Sequence, residues 1–299
     1  MAASAPPPWP TNAVLDDAGL RVAGVAAEEL AARFGTPLLV ADEAHLRERA
    51  RTFARLFPHP LYAVKAFTSH HVIRLVLEEG LDLLAATEGE VEACLRAGAP
   101  PSRIVLHGNN KSDAELSLAV DEGLRLVNVD NPDELERLDR IARERGVVQD
   151  ILLRVLPEVG AGAPPRDPHG GRRVRSSGCR WPRSPPSWPG RWSSGASDRS
   201  GCTRTSAPRS WRSSRYLAAV DVLLDLLVEL RDRTGFEADV LDLGGGVRGW
   251  RTTDETPLSL DELAPAPARP GARGRAAAGA PRAAHARRAG VGPWWGRRW

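Results

Sequence analysis

Short apolar runs alternate with segments of helical periodicity along residues 37–157. Strands that alternate with helices at a spacing of roughly 20–25 residues are typical of βα units around a parallel sheet. This pattern therefore predicts an α/β protein. The apolar runs, which are the candidate strands, are Pro37–Ala41, Leu61–Ala66, Leu81–Ala86, Ile104–His107, Leu126–Val129 and Ile151–Val155.

Helix-start signals follow the later strands. Thr87 and Ser112 each have a Glu three residues further on, which is the spacing of a capping box, and Asn131 precedes a proline suited to a first helical turn. A further amphipathic helix is predicted at about Tyr216–Arg231, with a strand at Val240–Leu243 after it. Seven or so βα units favour an incomplete (β/α)8 TIM barrel, although the count also allows an open, Rossmann-like doubly wound sheet.

Two segments interrupt this pattern. Residues 171–215 contain 11 Arg, one acid and no Leu, Ile or Phe, and residues 264–299 contain 8 Arg and no acid. They carry +10 and +8 in a chain whose net charge is +3, so the rest of the chain carries −15. Neither segment offers a periodic apolar face, and we expect both to be disordered. The predicted divisions are an N-terminal segment (1–24), a first part of the barrel (25–170), an aberrant segment (171–215), a later barrel helix with a glycine-rich loop (216–262) and a tail (263–299).

The remaining composition excludes several classes of protein. No apolar run reaches the roughly 18 residues that a membrane span requires, and the first residues lack the basic start and apolar middle of a signal peptide. The sequence therefore predicts a soluble, cytoplasmic protein without a membrane partner. Cys94, Cys179 and Cys202 are odd in number and widely spaced, which predicts neither a disulfide framework nor a metal site.

Lysine chemistry is confined to two positions, because Lys65 and Lys111 are the only lysines in the chain. Lys65 lies at the carboxyl end of a predicted strand, which in a barrel is the edge where catalytic groups collect. Partly desolvated by Tyr62 and Phe67, it can form a Schiff base with an aldehyde cofactor. The alternative is an ordinary surface lysine at the end of a strand.

Two other strand ends carry candidate binding groups. Gly244, Gly245 and Gly246 follow a strand directly, and their backbone amides can wrap a phosphate, although a tight structural turn also uses such a triplet. The strand that ends in His107 is followed by a polar cluster that reaches Ser112. A turn that leads into a helix explains most of that cluster equally well.

Three motifs, taken in this order and spacing, resemble the diaminopimelate decarboxylases of the pyridoxal-phosphate barrel family. They are Tyr62-Ala-Val-Lys-Ala66, His107-Gly-Asn-Asn-Lys-Ser112 and Leu241-Asp-Leu-Gly-Gly-Gly246. The second motif is quite specific and favours this branch over the ornithine and arginine decarboxylases and the alanine racemases. The resemblance covers roughly Phe34–Pro157 and Tyr216–Glu262.

The resemblance implies pyridoxal 5'-phosphate as the cofactor, held by Lys65, with His107 near it and Gly244, Gly245 and Gly246 on its phosphate. It implies a lyase that removes CO2 from meso-diaminopimelate to give L-lysine, with the cofactor ring as electron sink. The partners it implies are a small amino-acid substrate and, in the intact family, a second copy of the chain, with no nucleic acid. The alternatives are a decarboxylase for another basic amino acid and a non-catalytic remnant that at most binds a phosphate-bearing cofactor weakly.

The chain also departs from the family pattern. Leu84 stands where the family has an acid, and Glu88 stands where it has a glycine. The family's Lys-Phe-Gly, Gly-Leu-His-x-His-Ile-Gly-Ser-Gln and Glu-Pro-Gly-Arg motifs are missing, as is its C-terminal β domain with a catalytic Cys and Tyr. Their expected places fall in or beyond the two interrupting segments. We therefore expect the chain as written to lack decarboxylase activity and the family's homodimer contacts.

High Arg, Trp, Ser and Pro content is what GC-rich coding sequence yields when it is read out of frame. When the third base of each codon is joined to the first two of the next, Arg175–Pro182 can be read as Lys-Phe-Gly-Leu-Pro-Leu-Ala, and Ser200–Trp211 as Gly-Leu-His-Ala-His-Leu-Gly-Ser-Gln-Ile-Val. We hypothesise that the frame is lost near residues 160–170, regained near Arg215 and lost again near Leu263, through gene decay or an error in the recorded sequence. The competing hypothesis is a genuine basic linker that binds RNA through phosphate and cation–π contacts.

Overall fold

The structure is a computed structural model whose N-terminal part is a small antiparallel sheet followed by two helices. The sheet consists of β1 (Ala13–Asp16), β2 (Gly19–Val22) and β3 (Val25–Ala26), and it leads into α1 (Ala27–Phe34) and α2 (Glu43–Leu56). The residues that the structure describes are 10, 12–17, 19–57, 59–155, 200–204, 224, 227–228, 231–232, 238–242, 244, 260–263, 289–291 and 295–297.

A seven-stranded parallel sheet forms the centre of the described chain. Its strands are β4 (Leu61–Ala63), β5 (Asp82–Ala85), β6 (Ile104–Leu106), β7 (Leu126–Val129), β8 (Ile151–Val155), β9 (Ser200–Arg204) and β10 (Ala238–Asp242). The helices between the first five of them are α3 (His70–Glu78), α4 (Glu88–Arg96), α5 (Asp113–Asp121) and α6 (Pro132–Glu144). Short elements follow at α7 (Leu260–Leu263), β11 (Ala289–Val291) and β12 (Trp295–Arg297).

Strand order separates the two folds that the sequence left open. Each strand of the large sheet pairs in parallel with the strand before it in the chain, from β4 through to β10. A doubly wound sheet reverses its strand order at a switch point, whereas a (β/α)8 barrel keeps sequential order. The described sheet has no such reversal, which confirms the prediction of an incomplete α/β barrel.

Strands β5 to β8 bury both of their faces, as parallel strands in βα folds do. Residues on one face pack with the helices in a large apolar cluster that includes Leu83, Ile104, Val127 and Ile151. Alternate residues point to the other face and form a smaller cluster of five buried side chains, which are Leu61, Leu84, Val105, Leu126 and Leu152. This inner apolar cluster lies directly below the carboxyl ends of the strands.

Two predicted strands differ from what the structure contains. Pro37–Ala41 forms no strand, and Leu39 is fully exposed, because no neighbouring strand in the described part of the chain offers it hydrogen-bonding partners. The predicted strand Leu61–Ala66 ends at Ala63, and Val64–Ala66 is a single 3₁₀ turn closed by the amide of Phe67 on the carbonyl of Val64 at 3.1 Å.

The aberrant segment contributes a strand where the sequence predicted disorder. Ser200–Arg204 forms β9 between β8 and β10. Parallel pairing uses backbone groups that every non-proline residue carries, so a segment without apolar periodicity can still occupy this place. The rest of residues 171–215 lies outside the described residues. Within the predicted helix Tyr216–Arg231, the described positions Leu224, Leu227, Val228 and Arg231 are helical.

No helix in the described parts of the chain combines the length and the apolar character needed to cross a bilayer.

Candidate active site

The carboxyl ends of β4 to β8 carry a polar layer directly above the inner apolar cluster. Strand register aligns Leu84, Val105 and Leu126 across β5, β6 and β7 in that cluster. Side chains alternate along a strand, so the residues two positions further on share the same face. Those residues are Ala86, His107 and Asn128, and the amide of His107 extends the ladder by donating to the carbonyl of Ala85 at 2.7 Å.

Lys65 lies at the same edge, on the 3₁₀ turn that follows β4. The hydroxyl of Tyr62 donates to the carbonyl of Phe67 at 3.3 Å, and the hydroxyl of Thr68 donates to the carbonyl of Val64 at 3.1 Å, so the turn is held at both ends. The expected partial desolvation of Lys65 is wrong for this structure, because the turn carries both Lys65 and Phe67 to exposed positions. Lys65 is thus an accessible primary amine.

His107 is a half-buried imidazole at the end of β6. Burial is the main cause that lowers its pKa to about 3, and the positive charges of Arg154, Lys111 and Lys65 act in the same direction. Its ring is therefore neutral at physiological pH. The Nδ1 atom accepts a hydrogen bond from the amide of Gly108 at 2.6 Å, which leaves Nε2 as the protonated nitrogen of the neutral ring.

Gly108 lets this loop approach the neighbouring strand. Its φ is +105°, and a Cβ atom at this position would lie 2.7 Å from the carbonyl oxygen of Ala86. Only glycine avoids both the strained backbone and the clash. The His107–Gly108 step is therefore pressed against the end of β5.

Lys111 is buried, with its side chain 1% exposed against a Glu134 side chain that is 0% exposed. Its Nζ atom donates to the carbonyls of Gly108 at 2.8 Å and Asn128 at 2.7 Å, and it lies 2.7 Å from Oε1 of Glu134. Burial lowers the pKa of Lys111, and Glu134 opposes that effect. Three acceptors around one nitrogen require all three N–H donors of the charged ammonium.

A second buried ion pair lies beside the first. Arg154 of β8 donates to Oδ1 of Asp130 at 2.6 Å, and both side chains are under 10% exposed. The amide of Asp130 in turn donates to Glu134 at 3.2 Å, which links the two pairs. Next to them, Asn128 is 1% exposed, and neither atom of its side-chain amide has a hydrogen-bond partner among the described residues.

The glycine-rich loop is described only at its first residue. Gly244 is buried with φ of +72°, and its amide donates to Oδ1 of the buried Asp242 at 2.7 Å. Gly245 and Gly246 lie outside the described residues. The site prediction for this loop therefore stays a prediction.

The two family departures occupy different surroundings. Leu84 is 4% exposed in the inner apolar cluster, and Glu88 is exposed in the first turn of α4. Cys94 is buried, which raises the pKa of its thiol to about 12. No group of three or more His, Cys, Asp or Glu side chains in the described residues could hold a metal ion.

The sequence analysis selected Lys65 and His107 as candidates but did not select the buried polar residues near them. Asn128, Asp130 and Arg154 are polar residues in or directly after the apolar strands β7 and β8. A buried polar residue within an apolar strand is a signal that sequence alone offers, since burial without a partner is costly. Glu134 lies in the first turn of α6, where acids are common at the surface, and only the structure reveals that it is fully buried.

Comparison with known proteins finds relatives for this part of the chain. Residues 43–173 match the pyridoxal-binding domain of the pyridoxal-dependent decarboxylases. The diaminopimelate decarboxylase of Mycobacterium tuberculosis is 46% identical over 161 residues, which cover 52% of this chain and 36% of that protein. The diaminopimelate decarboxylase of Methanothermobacter thermautotrophicus is 35% identical over 284 residues, which cover 86% of this chain and 60% of that protein.

A solved structure gives the same fold. The diaminopimelate decarboxylase from M. jannaschi superposes with a TM-score of 0.73 at 21% identity, over 85% of this chain and 61% of that chain. This chain thus spans between about a third and three fifths of the length of these relatives. The match to the pyridoxal-binding domain of the pyridoxal-dependent decarboxylases covers residues 43–173 of this chain.

Proposed function

We propose that this chain is the cofactor-binding part of a pyridoxal-phosphate-dependent diaminopimelate decarboxylase, which converts meso-diaminopimelate to L-lysine and CO2. The observation that carries the proposal is the contrast between the two lysines. Lys65 presents an exposed amine at the carboxyl edge of the sheet, and the amine of Lys111 is occupied by three acceptors. Lys65 is therefore the lysine available to an aldehyde cofactor.

The polar layer suits such a cofactor. Pyridoxal phosphate, when bound, supplies an electron sink for the charge that develops as CO2 leaves. Lys65 would hold its aldehyde carbon, and the neutral ring of His107 would lie beside it without adding a competing positive charge. The buried amide of Asn128, which has no hydrogen-bond partner in the described chain, adds polar capacity at the same level. Gly244, Gly245 and Gly246 would form the phosphate loop, in which Asp242 holds the amide of Gly244 and the amides of Gly245 and Gly246 would face the phosphate.

Substrate choice rests on the relatives. The two proteins that are 46% and 35% identical are both named diaminopimelate decarboxylase. A decarboxylase for another basic amino acid is the second candidate, and assays with ornithine, arginine and lysine beside meso-diaminopimelate discriminate between them. Assembly as a homodimer and a cytoplasmic location are part of the same proposal for the complete protein.

The division of the chain is also a proposal. We infer five parts, at 1–24, 25–170, 171–215, 216–262 and 263–299. The family match ends at residue 173, close to the proposed start of the aberrant segment, as expected if the reading frame changes there. On this basis the chain as written has no decarboxylase activity, and a frame-restored gene regains it.

The test begins with the purified full chain and pyridoxal phosphate. Retention of the cofactor pocket predicts an absorbance band above roughly 400 nm that saturates with cofactor concentration. No band at any concentration would overturn cofactor binding by this chain. Lysine formation from meso-diaminopimelate by this polypeptide would overturn the predicted inactivity. Salt-dependent RNA binding through residues 171–215 would favour the basic-linker hypothesis instead.

A further inference from the structure

The buried pair formed by Lys111 and Glu134 connects three separate elements of the sheet edge. Lys111 lies in the loop between β6 and α5, Asn128 in β7 and Glu134 in the first turn of α6. Because Lys111 reaches the carbonyls of Gly108 and Asn128 as well as the carboxylate of Glu134, one ammonium group joins all three elements.

Neither helix start depends on this pair. The first turn of α5 is capped by Ser112 and Glu115, which exchange hydrogen bonds in a complete capping box. The first turn of α6 is capped by Asn131, whose side chain accepts from the amide of Glu134 at 2.9 Å. The side chain of Lys111 therefore takes no part in capping, and among the described residues the carboxylate of Glu134 accepts at the helix start only from the amide of Asp130, which precedes the cap.

A contribution to folding stability does not by itself explain a buried ion pair at this position. Two charges lose their hydration on burial, and well-packed apolar residues of similar size often give an equally stable or more stable protein. What apolar residues cannot supply is a fixed, directional contact with two backbone carbonyls on neighbouring strand ends. The directional contact is the property that the pair adds.

That contact acts on the loop that carries His107. On one side, Gly108 is pressed against the carbonyl of Ala86, where not even a Cβ atom fits. On the other side, the carbonyl of the same Gly108 is held by Lys111 at 2.8 Å. His107, whose Nδ1 accepts from the Gly108 amide, is thereby fixed from both sides.

We propose that the Lys111–Glu134 pair is a positioning element of the active site, which fixes the β6–α5 loop against the end of β7 and so sets the place of His107. The inference rests on the proposed cofactor binding, because the position of His107 matters to function only if a ligand binds beside it. Through the amide of Asp130, which donates to Glu134, the same pair also steadies the carboxylate that holds Arg154.

The experiment replaces the pair by apolar residues of similar size in the full chain, as Lys111→Met/Glu134→Leu. We expect the double variant to recover most of the unfolding midpoint that Lys111→Met alone loses, because no buried charge is left unpaired. We also expect the dissociation constant for pyridoxal phosphate to rise at least about tenfold, since a small misplacement of a site residue has effects of this order.

A second measurement works without cofactor. Amide hydrogen exchange of the loop His107–Asn110 should become at least about tenfold faster in the double variant than in the wild-type chain. Asn131→Ala is the matched control, because it weakens the same helix start without touching the carbonyls of Gly108 or Asn128. It should lower the unfolding midpoint and leave both loop exchange and cofactor affinity unchanged.

The outcomes separate the inference from the proposed function. A folded double variant with wild-type loop exchange and wild-type cofactor affinity overturns the inference. A wild-type chain that binds no pyridoxal phosphate overturns the proposed function, and loop exchange still decides whether the pair positions the loop. If the double variant does not fold, Glu134→Gln replaces it, and unchanged loop exchange in that variant overturns the inference.

Discussion

The two lysines of the chain follow β4 and β6, and they differ in burial: one side chain is exposed and the other is buried. Lys65 follows β4 on a short turn whose own backbone closes it, so its side chain is exposed. Lys111 follows β6 in a loop that lies under the start of α6, and its side chain is 1% exposed with three partners. The same residue type is thus a candidate nucleophile at the end of β4 and a structural ammonium after β6.

The difference comes from what each strand end can offer. Beside Lys111 lie two backbone carbonyls and a buried carboxylate, which together satisfy every donor of an ammonium. The turn around Lys65 uses its polar groups internally, through Tyr62 and Thr68. Which lysine can react at this edge of the sheet therefore depends on whether neighbouring carbonyl groups occupy its amine.

The largest expected effect is the loss of cofactor binding when Lys65 is replaced. In the full chain, Lys65→Ala should abolish the cofactor absorbance band above roughly 400 nm, because no other accessible lysine can hold the aldehyde. Lys65→Arg is the control that keeps the positive charge but should lose the band equally. Loss of the band in Lys111→Ala together with its retention in Lys65→Ala would reverse the assignment of the two lysines.

The second prediction compares how much stability the protein loses when each of the two lysines is replaced. Lys111→Met leaves the carboxylate of Glu134 buried without its cation and should cost about 3–5 kcal/mol in the free energy of unfolding. Lys65→Met removes an exposed charge and should change that free energy by less than about 0.5 kcal/mol. Urea unfolding monitored by circular dichroism measures both, and equal costs would contradict the contrast between the two environments.

The same contrast marks the limit of prediction from sequence. The period of apolar runs predicted β5 to β8 closely, because buried parallel strands read as continuous apolar segments. The motifs around Lys65 and His107 pointed to the carboxyl edge of the sheet, because each motif directly follows a predicted strand.

What the sequence could not reveal depends on contacts between distant segments. The pairing of Lys111 with Glu134 spans two βα units, and no local pattern marks it. Pro37–Ala41 has strand-like composition, but a strand exists only where a neighbouring strand accepts its hydrogen bonds. In the opposite sense, Ser200–Arg204 has no strand-like pattern and yet pairs between β8 and β10.

The third prediction uses the pH dependence of stability near Lys111. His107 has its pKa lowered from 6.5 to about 3, so the unfolded chain binds more protons than the folded one between these two values. The stability that neutral His107 contributes is therefore complete above pH 6.5 and is lost as the pH falls toward 3. The slope is at most about 1.4 kcal/mol per pH unit.

The difference between the wild-type chain and His107→Gln isolates this effect, since glutamine does not titrate. Urea unfolding at pH 4, 5, 6 and 7 should show a gap between the two proteins that changes steadily below about pH 6.5. A His107→Gln curve that runs parallel to the wild-type curve would contradict a buried neutral imidazole.

The smallest expected effect tests the close approach that places His107 beside Lys111. Gly108 and Gly98 both have positive φ, at +105° and +88°, but an added Cβ meets the carbonyl oxygen of Ala86 at 2.7 Å in the first case and nothing within 4 Å in the second. Gly98→Ala therefore measures backbone strain alone, on the order of 1 kcal/mol, and Gly108→Ala should cost at least about 1 kcal/mol more because a backbone atom must move. Urea unfolding of both variants measures the loss in the free energy of unfolding, and amide exchange at Asn109 and Asn110 should be faster in Gly108→Ala. An equal loss for the two substitutions would mean that the loop after β6 is not pressed against β5, and that only the contact with Lys111 fixes the position of His107.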